Sequence, residues 1–148
     1  MAKSRIIEFA GKVKKFFQGK KQKKSISSTF TYDYQLLSVK GEAQREPWKD
    51  LVSEATGWFY FCNQVSLTIE NKGNMPIDSD RCRDLMVLDL DIRGVPNTVE
   101  LLEKSSSSPE LVMGVKDGKF VLKHVRIGLN EPLKLVFLGY FAVHISEL

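Results

Sequence analysis

The chain has 148 residues, 43% apolar and 27% charged, the size and make-up of one globular domain with a core of its own. Its net charge of +4 is unevenly placed: residues 1–24 carry nine cations against the single acid Glu8, net +8, while residues 25–148 carry 13 cations against 17 acids, net −4. No stretch approaches the ~20 apolar residues of a transmembrane helix, and Cys62 and Cys82 stand in neither metal nor redox spacing, which favours two reduced thiols.

Residues 3–18 read as a helix. Ile6, Phe9, Ala10, Val13, Phe16 and Phe17 fall on one stripe at spacings of three, four and seven, and Lys3, Lys12, Lys14 and Lys15 lie off it. Those lysines also break any secretory hydrophobic region, and Ala2 rules out N-myristoylation. Gly19 stops the helix, Lys20, Lys21, Lys23 and Lys24 form a polybasic run, and Ser25 to Ser28 read as a flexible joint. Residues 1–28 are therefore expected to be a basic amphipathic arm, with the compact domain filling 29–148.

The domain opens with alternating Phe30, Tyr32, Tyr34 and Leu36, a strand with an aromatic face. Gly41 to Glu46 reads as a turn. Pro47 suits a first helical turn, Trp48, Leu51, Val52 and Ala55 follow at helical spacing, and Gly57 ends the helix. Trp58 to Glu70 reads as a strand, Asn71 to Asp80 as a loop and Leu85 to Arg93 as a third strand. Thr98 to Lys104 suits one or two helical turns. Asp117-Gly118 marks a hairpin between two apolar runs, and Pro132 leads into a last strand on which Leu135, Phe137, Phe141, Val143 and Ile145 share a face. The expected fold class is α+β: a mostly antiparallel sheet with one main packed helix, preceded by the basic amphipathic arm.

The chemistry-bearing residues are sparse. His124 and His144 each fall in an expected strand with no neighbouring nucleophile or metal-spaced partner. Asp78, Asp80, Asp84, Asp89 and Asp91 form the one acidic group. Asp89 and Asp91, two residues apart on a strand, share a face and are the weak candidates for a hard cation such as Mg²⁺ or Ca²⁺. Leu88, Leu90 and Ile92 alternate with them, so a strand with one wet side, completed by lysines on its neighbours, explains the same pattern. There is no glycine-rich phosphate loop, no Gly-x-Ser-x-Gly and no Cys-x-x-Cys, so no enzyme and no cofactor is expected.

The arm carries the functional signal. Phe9, Val13, Phe16 and Phe17 suit insertion below lipid headgroups, with Lys12, Lys14 and Lys15 held above them. Lys20, Lys21, Lys23 and Lys24 suit lipid headgroups or RNA phosphates, and Gly19 to Lys24 also matches a nuclear localisation pattern. A plainer reading packs the same stripe into the domain as its first helix.

The layout resembles a rhabdovirus matrix protein. The residues that carry the resemblance are the lysine-rich arm (residues 12–24, KVKKFFQGKKQKK), the aromatic strand that follows (residues 29–36, TFTYDYQL) and a helix bracketed by Trp48 and Trp58. It implies a structural protein of the virion that binds the inner leaflet of an acidic host membrane, self-associates and condenses the viral nucleocapsid. It also implies residence in the virion, at the membrane or in the cytoplasm, with the nucleus open through the basic run. The Pro-Pro-x-Tyr budding motif of animal-virus members is missing, since the first proline is Pro47, and Tyr34-Gln-Leu-Leu37 fits only the looser Tyr-x-x-Leu pattern. The rival expectations are a small viral nucleic-acid-binding or nuclear accessory protein, such as a silencing suppressor or movement factor, and a lipid-binding β domain that uses its aspartates for Ca²⁺.

Overall fold

A computed structural model describes residues 23–46, 51–53, 55–92, 96–144 and 146. Among these the protein is all-β, with every strand pair antiparallel and no α-helix. The expected α+β class is thereby corrected.

The long strands form one sheet. β1 (Lys23–Tyr32) pairs with β2 (Gln35–Arg45), β2 with β4 (Trp58–Asn71), β4 with β11 (Leu133–His144) and β11 with β7 (Thr98–Lys104). Short β3 (Leu51–Ser53) pairs with Trp58 to Tyr60 of β4. Since β11 occupies the other edge of β4, β3 must continue the line of β2. The facing layer holds a three-stranded sheet, β6 (Met86–Leu88), β9 (Lys119–Lys123) and β8 (Val112–Lys116), and a two-stranded ribbon of β5 (Ile77–Asp78) and β10 (Arg126–Ile127). A 3-10 turn, Ser79–Arg81, follows β5.

One apolar cluster joins the layers. Large-sheet residues Leu37, Val39, Val65, Leu67, Ile69, Leu135 and Phe137 meet Ile77, Met86, Leu88, Phe120, Leu122 and Ile127 from the other side. The Phe120 and Phe137 rings, 5.3 Å apart, bridge the layers directly. Full burial of a side chain like Phe137 contributes ~1.5–3 kcal/mol.

The departures from expectation have local causes. The helix expected at Pro47 to Ala55 is not formed by its described part: Leu51–Ser53 is a strand, and residues 47–50 lie outside the described residues. Helical spacing over so few positions is weak, and pairing there satisfies backbone groups of Trp58 to Tyr60 that β2 does not reach. Thr98 to Lys104 is likewise strand. Val99 and Leu101 pack against the core at a period of two, and β11 supplies the hydrogen bonds. The N-terminal helix expected over 3–18 lies outside the described residues.

The first strand is cut in two. Asp33 and Tyr34 both take positive φ, 49° and 60°, the signature of a tight hairpin turn that Asn-Gly ordinarily marks. Tyr34 therefore sits at the tip, 96% exposed, and shares no aromatic face with Phe30 and Tyr32. The serines expected to form a joint belong to β1, which begins at Lys23. Gly41 is no turn residue but lies inside β2, where an added Cβ would collide with the Ser66 carbonyl oxygen. A close strand approach, not a bend, requires that glycine. At Asp117-Gly118 both φ angles are positive, 51° and 77°, and the expected hairpin forms between β8 and β9.

Candidate functional site

Most of the residues expected to act lie outside the described residues: Phe9, Val13, Phe16, Phe17, Lys12, Lys14, Lys15, Lys20 and Lys21. Lys23 and Lys24 are described, and they are strand residues. Lys23 Nζ lies 3.0 Å from Glu42 across the β1–β2 ladder, and Lys24 Nζ lies 2.6 Å from Asp91. The last two cations of the polybasic run thus each lie beside one of the domain's own acids at the surface.

Asp89 and Asp91 follow β6, whose hydrogen-bonded ladder ends at Leu88. The alternation continues without the ladder: Leu88, Leu90 and Ile92 are buried and the two aspartates exposed. The carboxylates are drawn to different elements, Asp91 to Lys24 on β1 and Asp89 to Lys119 on β9 at 4.0 Å. No group of three or more cysteine, histidine or acidic side chains suited to a metal occurs among the described residues.

A constellation invisible in the sequence lies on the facing layer. The turn after β5 is stitched to the β9–β10 connection. Ser79 N donates to the Val125 carbonyl at 2.9 Å, and Val125 N donates to Ser79 Oγ at 2.7 Å. This brings His124 Nδ1 within 2.8 Å of Asp80 Oδ1, across 44 residues of chain. His124 lies after β9, not in a strand, and has a φ of 59°. A shallow pocket of about 250 Å³ is lined by Asp80, Cys82, Asp84 and His124 among others. A thiol, an imidazole and a carboxylate in one pocket suggest nucleophilic chemistry, but the thiol is set against it. Burial pushes the Cys82 pKa up, where a nucleophile needs it lowered. Burial likewise raises the Tyr32 hydroxyl, which donates to the Asp84 carbonyl at 2.8 Å. The group fastens β1 and the turn to the facing layer, and only the spacing of residues 78–84 from residue 124 in the folded chain reveals it.

His144 ends β11, with its ring edge-on to Trp58 at 5.1 Å and Nε2 3.2 Å from the Thr56 carbonyl oxygen. An open polar pocket of about 500 Å³ lies beside Ser105, Glu131 and Lys134. There Ser105 Oγ bonds both the amide and the carbonyl of Lys134, at 2.7 and 3.3 Å. Both histidines and this serine are accounted for by fastening of the chain to itself.

No protein-family model, no curated protein and no solved structure matches this chain.

Proposed function

We propose that the protein is a matrix-type structural protein, peripheral on acidic membrane and adhesive toward ribonucleoprotein, whose working element is the N-terminal arm. The observation that carries this reading is the charge split, +8 over residues 1–24 against −4 over the rest, combined with the phenylalanine stripe. The reading rests on the arm and not on the α+β layout of the matrix family, which the domain departs from. Lys23 and Lys24 pair with Glu42 and Asp91 at the surface, and the seven cations of residues 1–22 add to them. At ~1 kcal/mol for each basic residue near an anionic leaflet, half of them acting would already outweigh thermal energy several-fold. Aromatic insertion adds to this.

The test uses the full chain with phosphatidylserine vesicles, neutral vesicles and single-stranded RNA. Flotation should occur with the acidic vesicles only and weaken with salt, because exposed charges are screened over ~10 Å at 0.1 M. Phe16→Ser with Phe17→Ser should abolish flotation and keep most RNA affinity. Lys20→Gln with Lys21→Gln should weaken both, since phosphate binding scales with the cations engaged. Undiminished flotation of the double phenylalanine variant would sink the membrane reading and leave the RNA-binding accessory protein.

A further inference from the structure

The two outer edges of the large sheet differ in how they are guarded. β7 has the usual protections of an edge. Its ladder with β11 shifts register between Val136 and Phe137, it carries Glu100, Glu103 and Lys104, and β8 lies against it. β1 lacks these from Ser25 to Tyr32. Its 10 residues pair with β2 without a break, it holds no proline, and its charges are Lys23 and Lys24 at the very start. Among the described residues no strand pairs with its far side. Side-chain exposure agrees: Ser25 and Ser27 are exposed, where Ser38 of β2 and Ser66 of β4, on the same face, are half-buried.

The free backbone groups of this edge follow from the register. The Leu36 carbonyl accepts from Lys72 N at 2.7 Å, and Glu46 N donates to the Cys62 carbonyl at 2.9 Å, so the even-numbered residues of β2 turn toward β4 and the odd-numbered ones toward β1. Those odd residues take up the even-numbered residues of β1, from Tyr32 opposite Gln35 to Lys24 opposite Ala43. The N–H and C=O groups of Lys23, Ser25, Ser27, Thr29 and Thr31 therefore point away from the sheet.

We propose that this edge pairs with the β1 edge of a second copy of the chain, antiparallel about a two-fold axis at Ser27, so that two large sheets become one. A second copy is the occupant because the edge is complementary to itself. A two-fold axis normal to the sheet makes the facing strands antiparallel. Centred on Ser27, it sets Lys23 opposite Thr31, Ser25 opposite Thr29 and Ser27 opposite its own copy. Every outward group then finds a partner, about ten hydrogen bonds in all. The outer row meets as small hydroxyl side chains, a favourable cross-strand pairing. Charge agrees as well: no cation of β1 faces another, and Lys24 comes opposite the partly buried Phe30, which its stem can cover. The two Lys23 residues stand ~27 Å apart along the joined strands, so one assembly presents both arms. The pairing rests on the domain and is independent of what the arm binds.

Sedimentation of the native full chain should show a species of twice the chain's mass that dissociates on dilution. Ser27→Pro removes an outward N–H and no bond to β2, so the fold should stay and the dissociation constant of the dimer should rise at least ~10-fold, for the two bonds lost at the axis. Ser27→Lys sets two cations face to face and should also weaken the dimer; mixing it with Ser27→Glu should restore association. Mild oxidation reads the register. Ser27→Cys should give a disulfide-linked dimer above the parent's background, because the facing Cα atoms are ~5.5 Å apart. Ser25→Cys should not, since its two copies stand ~14 Å apart. A monomer at every concentration, a dimer undiminished in both Ser27→Pro and Ser27→Lys, or equal crosslinking of the two cysteine variants overturns the pairing.

Discussion

The two faces of the large sheet are made by the same strands and obey different rules. The inner face is continuous: Ile26, Leu37, Val39, Val65, Leu67, Leu135 and Phe137 bury against the facing layer. The outer face carries Ser25, Ser27, Thr29, Lys40, Glu42, Ser66 and Thr68, and also the buried Cys62 of β4 and Leu138 of β11. Inner burial follows from alternation and core volume. Outer burial depends on what lies across the sheet, which no local pattern encodes. Substitutions on the inner face should therefore register as stability, and those on the outer face as altered accessibility or titration.

The largest effect expected is at the centre of the inner face. Phe137 is 0% exposed and meets Phe120 across the layers, so Phe137→Ala should cost ~3–5 kcal/mol in urea unfolding. A loss under ~1 kcal/mol would mean that the layers are not packed as described. Gly41→Ala comes next. The new methyl meets the Ser66 carbonyl oxygen, a backbone atom that yields only if the strands separate, so ~1–3 kcal/mol is expected in the same assay. A neutral Gly41→Ala would show that β2 and β4 approach less closely than the register implies.

The smallest expected effect is on the outer face. Tyr140 donates its hydroxyl to Glu100 at 2.6 Å, and that carboxylate, with burial second, pushes the phenol up to about 12. The folded chain then keeps a proton that the unfolded chain releases near pH 10. The contribution to stability is complete below pH 10 and is lost as pH rises from there through the folded value. Ultraviolet titration should show a late tyrosine that Tyr140→Phe deletes and Glu100→Gln moves to lower pH. If Glu100→Gln leaves the late transition in place, the hydrogen bond is not its cause.

Much of the sheet was legible in the residues alone. The alternating Val65, Leu67 and Ile69, the Asp117-Gly118 turn and the run after Pro132 each mark a strand or hairpin where one occurs, because period-two burial and positive-φ turns are local requirements. The turn at Asp33-Tyr34 was not legible. Asp33 is a common turn residue, but Tyr34 stands where glycine would mark the turn, and the alternation of Phe30, Tyr32, Tyr34 and Leu36 runs through it unbroken. Gly41 was misread for a related reason, since the constraint on it comes from Ser66, 25 positions on.

By itself the sequence determined the charge division between the first 24 residues and the rest, the amphipathic stripe of the arm and the apolar positions of most strands, since these depend only on residue type and spacing. Tertiary structure decided that Leu51–Ser53 and Thr98–Lys104 are strands, because open edges of β4 and β11 supply the hydrogen bonds that helical turns would have made internally. It also decided that Lys24 meets Asp91, that Asp80 meets His124, and that Cys62 is buried on the face away from the core. The two pairs join residues far apart in the chain, and only the folded backbone sets the distance between them.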